Sequence, residues 1–526
     1  MKPGNSVSAA QGQGPIGQTS IDVVEAAPWA PAKLSFAHVL LALLALTAIR
    51  IVGLHFSVVD LFFDEAQYWA WSRELSFGYF SKPPLLAWLI AATDSICGSG
   101  EGCVRLASPL LYLGTSLLVY AIAEKLYGRQ TAAWSALAFA LGIGLVFSAR
   151  IISTDVPLLF FWAAMLLAYI NLLRRPDWRW AIVLGVSFGL GMLAKYAMVY
   201  FVLCAATACV FDRDARAMVR RPQTWIALFI GVLFVLPNFY WNAANDFLTF
   251  RHTGDNITGD GFRLQISGAI GFIAGQFAVA GPMVFAVFLL ILVRLLGSSV
   301  LPQDKLMLAF AIPPLAVVTA LSLVRGANAN WAAPAVVSMT ILAVAWWVRH
   351  GWKHWLRGTI TVGLVMQAAL LAGDAFADRL TVPPLGSKAD LYQRTLGGRD
   401  LGRRTAELVR ATGARTVAAE GRPEMAALIY NLRDLPVRVV SWPHSKIPDH
   451  HFDLTRPLDD SAPEPIVFVS QCGVASRIRH FYRDVTPLPD ISVATGPTTG
   501  ERYQAFKVAG RQRAIEPIGS CSEVPQ

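Results

Sequence analysis

Residues 62–90, FFDEAQYWAWSRELSFGYFSKPPLLAWLI, follow directly on an apolar run that is long enough to cross a membrane. The segment carries an acidic pair, Asp64 and Glu65, and a Lys-Pro-Pro turn that begins at Lys82. Charged side chains are costly near lipid and are retained there mostly for a function or a partner. Their position at the end of a span predicts a polar site at the membrane surface.

The composition is typical of a protein that crosses a membrane several times. Of its 526 residues, 55% are hydrophobic and only 15% are charged, and the mean hydropathy is +0.47. A soluble protein usually carries charge on about a quarter of its residues. The net charge of +10 is divided among short basic clusters between apolar runs, which indicates topology signals and not one patch for nucleic acid. We therefore predict a polytopic α-helical membrane protein that binds no nucleic acid.

Apolar windows of membrane-spanning length predict about eleven transmembrane helices. Nine windows stand out: residues 34–56, 104–123, 131–149, 156–173, 223–241, 266–293, 304–324, 331–348 and 358–374. The stretch 180–211 has basic residues on both flanks, so both flanks should be cytoplasmic. An even number of crossings is then required, and two short helices are predicted to turn near the sequence LAKYA.

The same positive-inside bias brings nearly every unusual polar group of the membrane half to one face. The basic loops between spans belong to the cytoplasm, so the other loops belong to a periplasmic-type face. The polar residues predicted on that face are Asp64, Glu65, Lys82, Arg150, Asp155, Lys195, Arg251, His252, Arg263 and Asn330. This convergence indicates one site that opens outward.

The chain divides into three parts by composition. Residues 1–33 are small, polar and rich in Pro and Gly, which predicts a disordered cytoplasmic tail. Residues 34–375 form the membrane domain, with a first external loop at 57–103. Residues 376–526 alternate β-like runs (RTVAAEG, PVRVVSW, PIVFVSQCG) with helix-like runs, which predicts a small periplasmic α/β domain tethered by the last span.

Cysteine usage fits this topology. Two of the six cysteines lie inside an apolar run and are predicted to serve packing: Cys204 and Cys209. The other four fall in segments predicted outside the cytoplasm, where disulfides can form: Cys97 with Cys103, and Cys472 with Cys521.

Carboxylates and cations at an outer membrane face suit a transfer reaction on a charged lipid. A sugar linked to a polyprenyl phosphate keeps its anion at the interface, where Lys or Arg can stabilise the leaving phosphate. A neighbouring carboxylate can take the proton of an acceptor hydroxyl. The sequence has no Walker A or Rossmann glycine fingerprint, and phosphate recognition by lysines makes a divalent metal unnecessary without forbidding it. No cofactor is expected.

The segment FDEAQYWAWSRELSFGYFSKPPLLAWLI resembles the first external loop of the GT-C membrane glycosyltransferases. The branch concerned contains the dolichyl-phosphate-mannose protein mannosyltransferases and the bacterial aminoarabinose transferase of lipid A, and it corresponds to a glycosyltransferase family 39-like fold. The later motifs STDVPLLFFW and GLGMLAKY occur in the order that the family shows, so the resemblance covers roughly residues 34–350. The large mid-chain lumenal domains of the protein mannosyltransferases are absent, which favours the bacterial lipid or glycan branch.

The resemblance implies roles for five residues. Asp64 matches the general base of the family, and Glu65 matches a companion that orients the base or the acceptor. Lys82 and Lys195 match lysines that contact the lipid phosphate. Asp155 matches a second acid at the membrane edge near the same cavity.

Five further residues are assigned from charge, polarity and side of the membrane. Arg251 and His252 are predicted to contact the donor phosphate. Tyr68, Arg150 and Asn330 are predicted to line the substrate pocket.

Together these features predict an inverting glycosyltransferase of the bacterial inner membrane with an active site facing the periplasm. Its donor is a polyprenyl-phosphate-linked sugar, and its acceptor is a lipid A, lipopolysaccharide or related envelope glycan. A protein hydroxyl is an alternative acceptor. A transporter or lipid flippase is the alternative function, and a binding protein without activity is a third. Transporters, however, tend to hold charges near the bilayer midplane and to show internal repeats.

Simpler structural roles stay open for several of these residues. Asp64 and Glu65 would also suit the first turn of a helix, where acids interact well with the helix dipole. Asp155 precedes Val-Pro and would suit a helix start. Lys82 could extend to the interface for solvation alone, and Arg251 with His252 would suit an ordinary solvated loop.

Overall fold

The chain is mostly helical up to residue 380 in a computed structural model that describes residues 34–258, 264–294, 300–380, 392–472 and 475–517. The α-helices of this part are α1 (Phe36–Phe56), α2 (Phe63–Ser72), α3 (Leu85–Cys97), α4 (Glu101–Arg105), α5 (Ala107–Tyr127), α6 (Arg129–Ala140), α7 (Ile143–Ser148), α8 (Asp155–Arg174), α9 (Trp178–Ala194), α10 (Tyr200–Phe211), α11 (Arg213–Val219), α12 (Pro222–Ala244), α13 (Leu248–Thr258), α14 (Ile266–Val279), α15 (Pro282–Arg294), α16 (Pro302–Ala309), α17 (Ile312–Ser322), α18 (Ala335–His350) and α19 (Lys353–Ala375). Short 3₁₀ turns lie at Tyr196–Val199 and Ala329–Ala332.

Six helical segments of the described chain are long and apolar enough to cross a membrane. They are Phe36–Phe56, Glu101–Tyr127, Asp155–Arg174, Pro222–Ala244, Pro302–Val324 and Lys353–Ala375. Six shorter apolar helices of 10–17 residues accompany them, so the structure identifies a membrane protein. The number of about eleven spans stays a prediction.

Three predicted spans are interrupted, and the one predicted at 304–324 is divided into α16 and α17. The span predicted at 266–293 is divided into α14 and α15 at Gly281, whose φ of 92° is one that residues other than glycine rarely adopt. The span predicted at 131–149 is divided near Gly142 into α6 and α7. Hydropathy alone does not register such local helix breaks, so the apolar windows did not reveal them. By contrast, α9 does end next to Lys195, where a turn was predicted.

The helices differ in what their apolar side chains contact. Helices α8 and α18 are buried on nearly all sides and form the centre of the core, with Trp162 and Trp347 fully enclosed. Helix α12 instead exposes large apolar side chains such as Trp225 and Phe229. Exposed apolar surface of this kind is expected where a helix faces lipid.

The carboxy-terminal part is an α/β unit. Its elements are α20 (Gly398–Thr412), β1 (Thr416–Ala419), α21 (Arg422–Asn431), β2 (Arg438–Ser441), α22 (His451–Thr455), β3 (Ile466–Ser470), α23 (Ala475–Phe481), β4 (Tyr482–Ala494) and β5 (Gly500–Arg511). They form a five-stranded sheet in the order β2-β1-β3-β5-β4. β1 pairs in parallel with β2 and β3, whereas β5 pairs antiparallel with β3 and β4.

Strands β1, β2 and β3 lie at the three β-like runs of the sequence, but β4 and β5 were not predicted. β4 contains Pro487 and Pro489, which lower its strand propensity. Because β4 is the edge strand, these prolines remove no hydrogen bond that a further strand would need. The register of the β4–β5 pair shifts between Leu488 and Ile491.

The α/β unit packs firmly on the first external loop and is more than a tethered domain. One apolar cluster contains Trp69 and Trp71 of α2 together with Met425, Leu428 and Tyr430 of α21. The rings of Trp69 and Tyr430 meet edge to face with centroids 5.0 Å apart. Burial of aromatic surface of this size is a major source of interface stability.

Ion pairs surround this apolar contact, and in each the α/β unit supplies the arginine. Arg456 lies 2.6 Å from Glu74, and Arg399 lies 2.6 Å from Glu101. At this contact, acidic residues of the first external loop thus face basic residues of the α/β unit.

Some sequence predictions concern residues whose structure is not described. The predicted tail at 1–33, Arg263 and Cys521 lie outside the described residues. Cys97 and Cys103 are joined by a disulfide, with their Cα atoms 5.9 Å apart. Cys204 and Cys209 are free thiols.

Candidate active site

Helix α2 presents Asp64 at the junction between the membrane domain and the α/β unit. The acid lies in the first turn of the helix, as a structural role would require. Its Oδ1 accepts a hydrogen bond from Nη2 of Arg422, which lies at the start of α21. The Asp64 side chain is 35% exposed, so it remains open to an incoming group. Asp64 can therefore stabilise the first turn of α2 and still take part in a reaction.

Glu65 points the other way, into the protein, and is fully paired. Its carboxylate receives Nε and Nη2 of Arg105 at 2.9 and 2.7 Å. The backbone N–H groups of Phe62 and Ile152 add donors at 3.0 and 2.9 Å. Glu65 is 1% exposed, so its carboxylate has no open face for an acceptor. This geometry favours a positioning role for Glu65 through α2 over direct contact with an acceptor, and its role in the reaction stays a prediction.

Asp155, Lys195 and Asn330 form a second polar group. Asp155 begins α8, and Lys195 lies between α9 and the turn that follows. Oδ1 of Asp155 is 2.7 Å from the Lys195 ammonium, and Oδ2 accepts a hydrogen bond from Asn330 Nδ2 at 2.7 Å. Three residues that were predicted separately therefore meet, from positions up to 175 residues apart. Asp155 uses one N–H of the ammonium, which leaves two for a ligand.

Lys82 lies in the loop between α2 and α3 and makes no side-chain hydrogen bond or ion pair with the described residues. Burial and the neighbouring charge of Lys195 lower the pKa of the Lys82 ammonium, while the charges of Asp64 and Asp155 raise it. Arg422 also acts on Lys82. A half-buried lysine without a partner carries a desolvation cost that an anionic ligand would offset.

Tyr68 faces the same group of charges from α2. Burial raises the pKa of the Tyr68 hydroxyl, and the charge of Asp64 raises it further. Asp155 and Arg422 also act on this hydroxyl. The phenol therefore stays protonated and can serve as a hydrogen-bond donor at neutral pH.

Two ion pairs and the electrostatic interactions of Tyr68 and Lys82 link six side chains, hereafter the charged pocket: Asp64, Tyr68, Lys82, Asp155, Lys195 and Arg422. It brings three cations and two carboxylates together at the edge of the membrane helices. The excess of positive charge suits an anionic ligand. Transfer of a sugar from a phosphate requires a carboxylate that can accept a proton and cations that can stabilise the leaving phosphate. The charged pocket contains both kinds of group.

Arg150 does not contribute to the charged pocket as predicted. Its guanidinium is 2.6 Å from Asp374 at the end of α19, and the side chains of both residues are 9% exposed. The Tyr392 hydroxyl donates a hydrogen bond to Asp374 at 3.0 Å. Arg150 thus forms a buried ion pair that ties α19 to the loop after α7, and it is not open to a substrate.

Arg251 and His252 lie on α13 beside the loop that carries Lys82. Thr249 of the same helix donates a hydrogen bond to the backbone carbonyl of Tyr79 at 2.7 Å, and the His252 ring lies 5.5 Å from that of Phe80. The Arg251 side chain is exposed. Their contact with a donor phosphate stays a prediction.

Sequence reasoning missed the partners of both carboxylates on α2. Arg422 is 358 residues from Asp64 in the chain, and no local pattern marks it. Arg105 is 40 residues from Glu65, and an arginine directly after the first external loop could have been considered as its partner.

Among the residues that the structure describes, no group of three or more His, Cys, Asp or Glu side chains is placed to hold a metal ion. The cluster with the most histidines is in the α/β unit, where His444 lies 3.1 Å from Glu420. That no metal is required stays a prediction.

Comparisons with known proteins identify sequence relatives of this chain. The model of the dolichyl-phosphate-mannose-protein mannosyltransferase family matches residues 81–241. The lipid A galacturonosyltransferase RgtD of Rhizobium johnstonii is 33% identical over 415 residues, which cover 79% of this chain and 86% of that protein. The lipopolysaccharide core galacturonosyltransferase RgtA of the same organism is 28% identical over 192 residues, 35% of this chain and 37% of that protein.

The fold has solved relatives as well. The crystal structure of ArnT from Cupriavidus metallidurans bound to undecaprenyl phosphate superposes with a TM-score of 0.63 at 14% identity, covering 90% of this chain and 98% of that one. At this identity the likeness concerns the fold alone. The match to RgtD, at 33% identity over most of both chains, shows that the chain belongs to the GT-C family of membrane glycosyltransferases.

Proposed function

We propose that the protein transfers a uronic acid, of the galacturonic type, from a polyprenyl phosphate to lipid A or the lipopolysaccharide core. The main support is the relationship to RgtD, whose name gives the sugar and the acceptor, over 79% of this chain. The charged pocket agrees with a donor that carries a phosphate. Family membership favours transfer over the alternative of a transporter or flippase.

Lys82 and Lys195 bind the donor phosphate in this proposal. Lys82 has no partner among the described residues, and Lys195 keeps two N–H groups beyond its contact with Asp155. When the sugar leaves, a second negative charge develops on the phosphate, and two ammonium groups stabilise that charge more than they stabilise the bound donor. Asp155 and Asn330 act by fixing the position of Lys195.

Asp64 acts as the general base. It takes the proton of an acceptor hydroxyl while the hydroxyl oxygen forms a bond to the anomeric carbon of the sugar. The bond between the anomeric carbon and the phosphate oxygen breaks, and its electron pair stays on the phosphate. The products are the glycosylated acceptor, free polyprenyl phosphate and protonated Asp64. A single displacement of this kind inverts the anomeric configuration.

The reaction takes place on the periplasmic side of the inner membrane in this proposal. The disulfide between Cys97 and Cys103 supports this side for the first external loop, because disulfides persist in oxidising compartments. The α/β unit packs on the same loop and so lies on the same side. About eleven spans result if the shorter apolar helices also cross, some in broken form.

Purified protein in liposomes tests the proposal. The vesicles contain polyprenyl-phosphate-linked galacturonic acid with a labelled sugar, and lipid A is the acceptor. We expect labelled lipid A and an equal amount of free polyprenyl phosphate from the wild type. We expect a loss of at least about 100-fold for Asp64→Asn, because loss of a general base typically costs 10²–10⁴-fold.

Arg456→Met serves as the matched control, since Arg456 pairs with Glu74 on the surface of the same loop. It should keep wild-type transfer. Movement of the donor across the bilayer without release of polyprenyl phosphate would instead indicate a flippase, and full activity of Asp64→Asn would exclude Asp64 as the base.

A further inference from the structure

Arg422 is a cation of the charged pocket that comes from the α/β unit. It is the first residue of α21, and its side chain extends onto α2. Nε donates a hydrogen bond to Gln67 at 2.6 Å, and Nη2 donates one to Asp64. The guanidinium also lies over the Phe63 ring, 5.0 Å from its centroid. These three contacts fix the plane of the guanidinium beside the candidate base.

The guanidinium retains unused donors in this position. An arginine has five N–H groups, and one on Nε and one on Nη2 are engaged by Gln67 and Asp64. The two on Nη1 and the second on Nη2 have no acceptor among the described residues. The Arg422 side chain is 30% exposed, so an anion can reach these donors while both contacts to α2 persist.

The position of Arg422 separates it by function from the two lysines. In an inverting displacement the base and the acceptor are on the face of the sugar opposite to the leaving phosphate. Arg422 contacts the base, whereas Lys82 and Lys195 are the cations assigned to the phosphate. The anion that Arg422 can bind is therefore a group on the sugar ring or on the acceptor near the base.

A planar carboxylate is the anion that best fits a fixed guanidinium, because two parallel N–H groups can bind its two oxygens. We propose that Arg422 is a specificity-determining residue that binds the carboxylate of the donor's uronic acid. This assignment rests on the proposed function and adds to it a residue that selects an acidic over a neutral sugar. It also gives the α/β unit a role in the reaction, since the unit supplies part of the sugar site.

The contact with Asp64 has a consequence for substrate binding. In the ligand-free protein, Asp64 occupies Nη2 of Arg422, so a carboxylate that binds the guanidinium competes for its charge. Binding of the acidic sugar thereby weakens the pull of the guanidinium charge on Asp64, while the hydrogen bond between the two side chains persists. A neutral sugar brings no such competitor.

The test compares two donors that differ only in the carboxylate: galacturonic acid and galactose, each on the same polyprenyl phosphate. Single-turnover rates with enzyme in excess are measured for the wild type, Arg422→Met, Arg422→Lys and the control Arg456→Met. We expect Arg422→Met to reduce transfer of galacturonic acid about 10- to 100-fold, the usual effect of losing hydrogen bonds to a charged group. Transfer of galactose should change less than about 3-fold.

Arg422→Lys should fall between, since the charge remains and the fork is lost. If Arg422→Met is unfolded, as a melting temperature well below that of the wild type would reveal, the two donors are compared with Arg422→Lys instead. An equal loss for both donors would overturn the proposal and point to a group on the acceptor or the shared phosphate. No loss for either donor would also overturn it. If the wild type transfers neither sugar, the proposed function fails instead, and the two failures are thus distinct.

Discussion

Removal of the Arg105 side chain should destabilise the protein more than removal of any surface charge. Arg105 donates four hydrogen bonds: two to Glu65 at 2.9 and 2.7 Å, one to the carbonyl of Val59 at 3.1 Å and one to the carbonyl of Asp60 at 2.7 Å. The side chains of Arg105 and Glu65 are 3% and 2% exposed. Neither charge can therefore be solvated when its partner is removed.

The magnitude follows from this burial. Removing one partner of a buried ion pair typically costs about 3–5 kcal/mol. Two backbone N–H groups continue to stabilise the Glu65 carboxylate in Arg105→Met, so the lower end, about 3 kcal/mol, is expected. Glu65→Gln should cost a similar amount, because it leaves the guanidinium buried without an anion. The double variant should cost less than the sum of the two by about 2 kcal/mol.

Thermal unfolding in detergent provides the assay, with transfer by the folded fraction measured in parallel. A loss of about 3 kcal/mol should lower the melting temperature by roughly 3 °C, because the entropy of unfolding grows with chain length. Arg349→Met is the matched control, since Arg349 makes a similar double contact with Asp304 at 2.7 and 2.9 Å but its side chain is 25% exposed. Its effect should be smaller, because the Arg349 side chain is partly solvated and the Tyr127 hydroxyl still donates a hydrogen bond to Asp304 at 2.9 Å. A Glu65→Gln protein that melts like the wild type yet transfers 100-fold more slowly would refute the positioning role and restore Glu65 as a reacting group.

Three further predictions concern the lysines, the histidines and metal. Lys82→Met and Lys195→Met should each lower kcat/KM for the donor by about 10²- to 10³-fold through loss of phosphate stabilisation, measured in steady-state assays; an unchanged value would remove that lysine from the phosphate site. Burial lowers the pKa of His451 from 6.5 to about 3, so the unfolded state binds more protons between these values and stability falls with decreasing pH, by about 1.4 kcal/mol per unit below pH 6.5. Melting temperatures at pH 7.5 and 5.5 should therefore differ less in His451→Phe than in the wild type. The lowered pKa of His450 also makes stability fall with decreasing pH, whereas the raised pKa of His444 has the opposite effect. Both histidines remain in the variant, so their contributions cancel in the comparison. Transfer should persist in excess EDTA; loss that Mg²⁺ or Mn²⁺ restores would show that a metal takes part.

The sequence could predict which residues have suitable side chains and on which side of the membrane they lie, but not which residues contact one another. Asp155 and Lys195 were expected at the same face because both lie at span ends, and the structure joins them at 2.7 Å. The same reasoning put Arg150 in the pocket, although a buried partner, Asp374, engages it. Knowing the side of the membrane on which a residue lies fixes its depth, but it does not determine which residues are its neighbours at that depth.

Hydropathy, basic loops and the motif at residues 62–90 were enough to determine a polytopic membrane protein of the GT-C type, because lipid imposes long apolar helices that a one-dimensional scan detects. Tertiary structure alone decided which carboxylate on α2 is open and which is paired. Asp64 and Glu65 are adjacent in the chain, yet successive residues of a helix point about 100° apart, so one faces Arg422 and the other Arg105. Those arginines lie on elements distant in sequence, and only packing of the α/β unit on the first external loop brings Arg422 to the site.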